Sequence, residues 1–169
     1  MPNPLREAHD TRLQRIAGPC GIVLFGITGD LAQRKILPAL YDLASRGLLP
    51  PSFSIIGVAR RHIENITEVV ENSIRDGAKM PVTDTTLNQL LSGFSMVEGQ
   101  FDSDDTYRLL GERMADVDDT RGTGSNYAFY LSIPPELFPT VLGGIGDAGL
   151  QSGPDGSWRR VVIEKPFGR

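Results

Sequence analysis

Residues 21–32 read Gly-Ile-Val-Leu-Phe-Gly-Ile-Thr-Gly-Asp-Leu-Ala, and this stretch indicates the fold class. Its first five residues, Gly21–Phe25, form a short apolar run that is typical of a buried strand. Two glycines interrupt the run, and residues 30–46 then have a helical pattern that Gly47 closes. Pro38 lies inside this helix and is expected to kink it or to restrict its start. The stretch therefore predicts a strand, a tight turn and a helix, in that order.

The same alternation continues along the chain. Further strands are predicted at 53–59, 94–101, 126–132 and 158–164, with helices at 63–76, 84–92, 104–117 and 135–149. Because helix-length segments separate the strands, we expect right-handed crossovers and a parallel sheet whose apolar strands are buried on both faces. The predicted fold class is α/β, a doubly wound parallel sheet of the Rossmann type, over residues 20–169. Residues 1–19 are predicted to be an N-terminal arm, in which three prolines discourage regular structure.

Composition excludes several classes of function. The 169 residues carry 17 basic and 21 acidic side chains, a formal net charge of −4, which argues against a general nucleic-acid-binding protein. No apolar run approaches the roughly 18 residues of a membrane-spanning helix, and the N-terminus has no apolar signal core. Cys20 is the only cysteine and is expected to be a small buried hydrophobe. We expect a cytoplasmic protein without a nucleic-acid partner, a membrane partner or a metal site.

The turn after the first strand is the first candidate site. In this position the pyrophosphate of a dinucleotide can meet backbone N–H groups and the positive end of a helix. Gly26 permits the tight turn, Gly29 lets the backbone approach the phosphates, and Thr28 can add a hydroxyl hydrogen bond. Asp30 is expected to cap the helix, with its carboxylate turned toward the backbone. Taken alone, the turn is equally compatible with a plain helix cap.

The end of the second strand indicates which dinucleotide would bind. NAD-selective domains usually place an acid there for the ribose hydroxyls, whereas this chain has Arg60, Arg61 and His62. A guanidinium can hold a 2′-phosphate, which an acid would repel, so the sequence favours NADP. The alternative is a solvated surface pair of arginines. His62 is interpreted as a surface histidine.

Two further segments leave the sheet at the same edge. Lys165 follows the fifth strand, where its ammonium could hold a substrate hydroxyl or phosphate, and Pro166 would fix the direction of the chain. The alternative is a solvated lysine before a turn. Residues 131–135 follow the fourth strand and should pass near the cofactor, but their side chains suggest no chemistry. Phe101 and Asp102 are expected to end the third strand and to lie near the adenosine half.

Four motifs at residues 26–32, 57–60, 129–135 and 162–168 occur in this order. Together they resemble the glucose-6-phosphate dehydrogenase family, and the resemblance runs from about residue 20 to the last residue. It implies oxidation of glucose 6-phosphate at its anomeric carbon, with hydride passing to NADP and a lactone as product. It also implies that a homo-oligomer forms only with the family's C-terminal α+β domain, which leaves an exposed apolar face on this chain.

The resemblance also implies roles for individual residues. The cofactor contacts that it assigns to the turn are Gly26, Ile27, Thr28, Gly29, Asp30, Leu31 and Ala32. Lys35 is a secondary cofactor contact, Arg60 grips the 2′-phosphate, and Lys165 bridges substrate and cofactor.

No catalytic residue is assigned within these 169 residues. The family's catalytic histidine lies in an Arg-Ile-Asp-His-Tyr-Leu-Gly stretch, together with an aspartate that orients it, and the resemblance places both of them beyond Arg169. We therefore expect the 169-residue polypeptide to be inactive or nearly so, because no base would take the hydroxyl proton.

Two alternatives remain open. Glucose–fructose oxidoreductase-like enzymes also place Glu-Lys-Pro after a nucleotide-binding domain, but they normally carry Gly-x-Gly-x-x-Gly in the first turn, which residues 26–32 do not match. The second alternative is a binding or regulatory module that holds NADP without chemistry.

Overall fold

A parallel sheet forms the centre of the structure, a computed structural model that describes residues 16–165. Its strands are β1 (Gly21–Phe25), β2 (Ser54–Ala59), β3 (Phe94–Glu98), β4 (Tyr127–Leu131) and β5 (Arg159–Ile163). The helices are α1 (Leu37–Ser45), α2 (Ile66–Gly77), α3 (Asp84–Leu91), α4 (Asp104–Arg121) and α5 (Phe138–Asp147).

The strands lie in the order β3-β2-β1-β4-β5, and every neighbouring pair is parallel. β1 is central, since Gly21 is in register with Ser54 of β2 on one side and with Tyr127 of β4 on the other. The strand order reverses at β1, which confirms the predicted doubly wound α/β fold. In such sheets, ligands bind in the crevice outside the carboxyl ends of the strands, at the point of reversal.

β1 is buried along its whole length because helices cover both of its faces. Ile22 and Leu24 pack in the core formed with α1, α2 and α3, whereas Val23 and Phe25 pack in the core formed with α4 and α5. Cys20, just before the strand, is buried as predicted, and burial raises the pKa of its thiol. The turn that follows β1 therefore starts from a fixed strand.

The helical segment after β1 begins with an irregular turn. Residues Ala32–Ile36 form a π-helical turn, in which the Leu37 N–H donates to the Ala32 carbonyl five residues back. Pro38 follows at the start of α1, has no N–H to donate, and would crowd the carbonyl of residue 34 in a regular α-helix. The wider turn removes this conflict. The kink or restricted start predicted for Pro38 therefore takes the form of a π-helical turn.

Several predicted boundaries shift when tertiary contacts form. α2 begins at Ile66 and not at residue 63, after Asn65 takes the left-handed conformation (φ 55). β3 ends at Glu98 and not at residue 101, because the chain turns to bury Phe101 before α4. α4 continues past residue 117 until Gly122 ends it with φ 73. A 3₁₀ turn, Pro135–Leu137, precedes α5.

The prediction that the strands are buried on both faces is wrong for β5. Val161, Val162 and Ile163 are 45%, 37% and 38% exposed, respectively. β5 is an edge strand of the described sheet, and residues 16–165 provide little cover for it. Successive residues of a strand point to opposite faces, so Val161 and Ile163 are exposed on one face of the sheet and Val162 on the other. Within the same residues, no helix is both long enough and apolar enough to cross a bilayer.

Candidate functional site

The turn after β1, residues 26–29, is held between the two neighbouring strands and is called the glycine bend below. The Gly26 N–H donates to the Val58 carbonyl of β2 at 3.0 Å. On the other side, the Ser132 N–H at the end of β4 donates to the last carbonyl of β1 at 3.1 Å. The Gly29 N–H donates to the Gly26 carbonyl at 2.9 Å and closes the bend. The bend therefore lies at the carboxyl edge of the sheet, where the strand order reverses.

Position 26 requires glycine for two independent reasons. Its φ of +80° is a left-handed conformation that side chains disfavour. A Cβ atom there would also lie 2.2 Å from the Ser132 carbonyl oxygen and 2.8 Å from the Ile133 Cγ2. At Gly29 a Cβ atom would lie 3.3 Å from the Gly26 carbonyl oxygen, and the backbone is not left-handed. Gly26 therefore shapes the bend, and Gly29 keeps it narrow.

The bend and the first helical turn present a group of backbone donors. Among the described residues, no backbone hydrogen bond is made by the N–H groups of Ile27, Thr28, Asp30, Leu31 and Ala32. The Gln33 N–H is the first to bond back along the helix, to the Gly29 carbonyl at 3.1 Å. Unpaired N–H groups at the start of a helix attract anions. The Thr28 side chain is exposed at the same place and can add its hydroxyl.

The expectation that Asp30 caps the helix is wrong. The helix already begins at Asp30, so its side chain points outward from the first turn, and Gly29 takes the capping position. The Asp30 carboxylate is 88% exposed and lies 3.8 Å from the Arg34 guanidinium. Its negative charge therefore faces solvent beside a cation and not the backbone donors.

Ile27 anchors the bend to β2. Its side chain is fully buried and occupies the space next to Gly57, where a Cβ atom would lie 2.5 Å from the Ile27 Cδ1. Gly57 thus allows the bend to pack closely on the sheet. The sequence analysis named Gly57 only as part of a family motif and assigned it no role of its own. A single glycine inside a buried strand indicates a close approach by another segment, and this signal could have identified it.

Arg60 lies directly after β2, one strand away from the bend. Its side chain is exposed, and the guanidinium carbon lies 5.8 Å from the centroid of the Phe101 ring. Its carbonyl accepts a hydrogen bond of 3.0 Å from the Gln100 amide nitrogen. The turn after β3 therefore supports both the backbone and the guanidinium of Arg60. Phe101 was expected to end a strand at this edge, but it acts as the buried base of this support.

His62 lies near Arg60 and is occupied by a surface contact. Its Nδ1 is 2.8 Å from the Glu98 Oε1 at the end of β3, and its side chain is 72% exposed. This placement agrees with the interpretation of His62 as a surface histidine. The carboxylate of Glu98, the one acidic residue of β3, therefore already has a hydrogen-bond partner.

Two lysines lie on the β4–β5 side of the bend. Lys35 lines a groove of about 310 Å³ together with Leu31, Tyr130 and Glu164. The Tyr130 hydroxyl donates to the Glu164 carboxylate, and burial together with this carboxylate raises the pKa of Tyr130 to about 12. Lys165 follows and is exposed.

Two parts of the chain for which predictions were made lie outside the described residues. One is most of the predicted N-terminal arm, since residues 1–15 are not described. The other is residues 166–169, which include Pro166, for which a role in fixing the direction of the chain was predicted. Both stay predictions.

The structure thus groups the predicted site residues along one edge of the sheet. Arg60 follows β2, the glycine bend follows β1, and Lys165 follows β5 beyond β4. Residues 16–165 contain no cluster of three or more His, Cys, Asp or Glu side chains that could hold a metal ion. The arrangement suits an extended ligand with an anionic middle that lies across the edge.

The sequence is similar to those of one protein family. A family model described as glucose-6-phosphate dehydrogenase, NAD binding domain, matches residues 23–169 and thus runs to Arg169. Glucose-6-phosphate 1-dehydrogenase 2 of Mycobacterium tuberculosis is 50% identical over 168 residues, which are 98% of this chain and 33% of that protein.

Two solved structures share the fold. Glucose-6-phosphate 1-dehydrogenase from Mycobacterium avium gives a TM-score of 0.73 at 30% identity, over 89% of this chain and 31% of that one. A glucose-6-phosphate dehydrogenase in complex with its substrate glucose-6-phosphate gives a TM-score of 0.77 at 30% identity, over 91% of this chain and 32% of that one. The chain spans about a third of the length of the curated relatives it matches.

Proposed function

The chain belongs to the family of the glucose-6-phosphate dehydrogenase NAD binding domain, and we propose that it binds NADP as the coenzyme domain of a glucose-6-phosphate dehydrogenase. Residues 20–169 form this domain in the proposal, with residues 1–19 as an arm. The observation that carries the proposal is the glycine bend between β2 and β4, which leaves backbone donors without a partner among the described residues, together with a supported arginine one strand away.

The residues of the bend fit a pyrophosphate. Five N–H groups have no backbone partner among the described residues, and three of them belong to exposed residues, Thr28, Asp30 and Leu31, which provide partial positive charge without a side-chain cation. Ile27 and Ala32, the other two, are buried. Gly26 and Gly29 keep the approach free of Cβ atoms, and the Asp30 charge is directed away beside Arg34. In the proposal, Ile27 and Gly57 hold the bend in place, while Thr28 and Lys35 add contacts from the edge.

The surroundings of Arg60 fit a 2′-phosphate. Its guanidinium is exposed, so a bidentate contact with phosphate oxygens is sterically open. Phe101 and Gln100 restrict its position, which lowers the entropy lost on binding. The Glu98 carboxylate, which would repel a phosphate, is engaged by His62. These contacts favour NADP over NAD.

We propose that the whole protein oxidises glucose 6-phosphate to a lactone. The bound nicotinamide would supply the hydride acceptor, and this chain's residues would bind and orient both reactants. Lys165, which leaves the sheet on the far side of β4 from the bend, would hold a sugar hydroxyl or phosphate with its ammonium.

The 169-residue polypeptide should bind the cofactor without measurable turnover. His62 is the one histidine among residues 16–165, and it lies beside β2 and β3, across the bend from Lys165. No base is therefore in place for the sugar hydroxyl within this region. In the proposal the base is the histidine of the family's Arg-Ile-Asp-His-Tyr-Leu-Gly stretch, which these 169 residues do not contain. A clear rate of NADPH formation from glucose 6-phosphate by the pure polypeptide would contradict this part of the proposal.

Arg60→Ala tests the cofactor preference. We expect it to weaken NADP binding by about tenfold or more, because a charged hydrogen bond is worth about 1.5–3 kcal/mol. NAD binding should change by less than about twofold, since NAD lacks the 2′-phosphate. Isothermal titration of both cofactors measures this difference.

Arg113→Ala provides the matched control, because it removes the same charge from the exposed face of α4. It should leave both affinities unchanged. An equal loss of NAD and NADP binding in Arg60→Ala, or a preference of the wild-type chain for NAD, would overturn the assignment of Arg60 to the 2′-phosphate.

A further inference from the structure

Ser132 carries a hydroxyl that has no partner within residues 16–165. The residue follows β4 and is 8% exposed, and its Oγ is shielded from solvent with no hydrogen-bond partner among the described residues. Its backbone is the surface against which the glycine bend packs, since the Ser132 carbonyl limits the space at Gly26. Buried polar groups are rarely left unpaired, and the exceptions often lie at functional sites.

The sheet places Ser132 and Arg60 on opposite sides of the bend. Arg60 follows β2, Ser132 follows β4, and β1 with its bend lies between these two strands. According to the proposed function, the 2′-phosphate of NADP lies at Arg60 and the pyrophosphate lies at the bend. The remaining half of the dinucleotide then has to continue over the carboxyl end of β4. This is the position of Ser132.

We propose that Ser132 is a further binding residue of this site, and that its hydroxyl takes its missing hydrogen bond from the nicotinamide half of the cofactor. The proposal rests on the proposed function. A hydroxyl can donate and accept, so it can pair with ribose hydroxyl or amide groups alike. Rotation about the Cα–Cβ bond between staggered positions moves the oxygen relative to the sheet edge. The hydroxyl thus lowers the stability of the free protein and contributes affinity in the complex.

Ser132→Ala tests this with two ligands. We expect NADP affinity to fall about three- to tenfold, the worth of one hydrogen bond. Adenosine 2′,5′-bisphosphate lacks the nicotinamide half and should bind the variant as tightly as it binds the wild-type chain. The melting temperature of the free variant should be equal to or above that of the wild type, because an unpaired buried group has been removed.

Ser95→Ala is the matched control, because the Ser95 hydroxyl in β3 is also buried without a partner among the described residues, but lies away from the bend. It should leave the affinities for both ligands unchanged. Ser132→Cys nearly keeps the side-chain shape with weaker hydrogen bonding and should reproduce the loss, which guards against a packing defect in the alanine variant.

Unchanged NADP affinity in Ser132→Ala and Ser132→Cys would overturn the inference while leaving the proposed function intact. So would an equal loss for both ligands, which would place the effect at the bend. Failure of the wild-type chain to bind NADP would instead overturn the proposed function, and the inference with it.

Discussion

Ile56 in β2 and Ile163 in β5 are the same residue type on the same face of one sheet, yet their surroundings differ. Ile56 is fully buried within the core formed with α4 and α5, whereas Ile163 is 38% exposed at the edge strand. Both lie in short apolar runs that predict buried strands. Position in the sheet, and not the apolar run, therefore sets how much a side chain contributes to stability.

One pair of variants tests this contrast directly and should produce the greatest change in stability. Ile56→Ala should lower the free energy of unfolding by about 2–5 kcal/mol, because it leaves a cavity in a closed core. Ile163→Ala removes the same atoms from a partly solvated surface and should cost less than about 1 kcal/mol. Urea unfolding of both variants measures the difference. Equal losses would mean that β5 is as well packed as the centre of the sheet.

The second prediction sets a crowded glycine against an open one. Gly26→Ala should cost about 2–4 kcal/mol, because it adds a clash with the Ser132 backbone to the strain of a left-handed residue. NADP binding should be lost as the bend is displaced.

Gly122→Ala separates these two contributions to the Gly26 effect. It has a similar φ of +73°, but no atom of residues 16–165 lies within 4 Å of the added Cβ atom. It should therefore show only the backbone strain, about 1 kcal/mol, in the same urea experiment. If the two variants were equally unstable, the contact with β4 would not be what fixes the bend.

The third prediction concerns two tyrosines on β4. The Tyr127 hydroxyl is buried and donates to the Asp118 carboxylate at 2.8 Å, within reach of the Met114 carbonyl at 3.0 Å. Tyr127→Phe should cost about 1–3 kcal/mol, because the hydroxyl that links Thr123, Asp118 and the Met114 carbonyl is removed from this hydrogen-bond network. Tyr130 bonds to the exposed Glu164 at the uncovered side, and Tyr130→Phe should cost less than about 1 kcal/mol. Thermal unfolding ranks the pair, and the reverse order would contradict the contrast between buried and exposed side chains of the sheet.

The weakest of these effects arises at alkaline pH. Burial raises the pKa of Tyr107 to about 12, and the Asp102 charge adds to the shift. Because the unfolded tyrosine has a pKa of about 10, the unfolded chain loses this proton first. The contribution is fully present below about pH 10 and is lost as the pH rises toward about 12.

Tyr107→Phe isolates this contribution. The loss of unfolding free energy between about pH 9 and about pH 11 should be smaller in the variant than in the wild type, by on the order of 1 kcal/mol. The loss of the hydrogen bond to the Phe101 carbonyl adds only a pH-independent offset. Parallel pH profiles would show that Tyr107 does not titrate with unfolding.

Much of the fold could be predicted from local patterns. The apolar run before Gly26, the helical segment after it and their repetition were enough to predict a parallel α/β sheet, because hydrophobic periodicity reports local geometry. The ends of elements were less accurate. β3 ended early because Phe101 packs under Arg60, a residue far earlier in the chain, and no local pattern contains that contact.

The candidate site was predictable in its composition but not in its arrangement. The glycines and Arg60 were identified from their positions after strands. Asp30 was assigned to the wrong role because the first helical hydrogen bond starts at the Gly29 carbonyl, which makes Asp30 the first helical residue and not the cap. Gly57 and Ser132 were not assigned roles, since each matters through a contact with the bend that only the parallel sheet creates.

Local sequence patterns were sufficient for the succession of strands and helices, the glycine turn after the first strand, the arginine after the second and the family to which the chain belongs. The folded chain was needed to learn which apolar strand stays exposed, how the bend is held between β2 and β4, and that the buried Ser132 hydroxyl beside it has no partner in the part of the chain that the structure describes. This division arises because periodicity and turn residues act over a few positions, whereas burial, steric limits and hydrogen-bond partners depend on segments that are far apart in the chain.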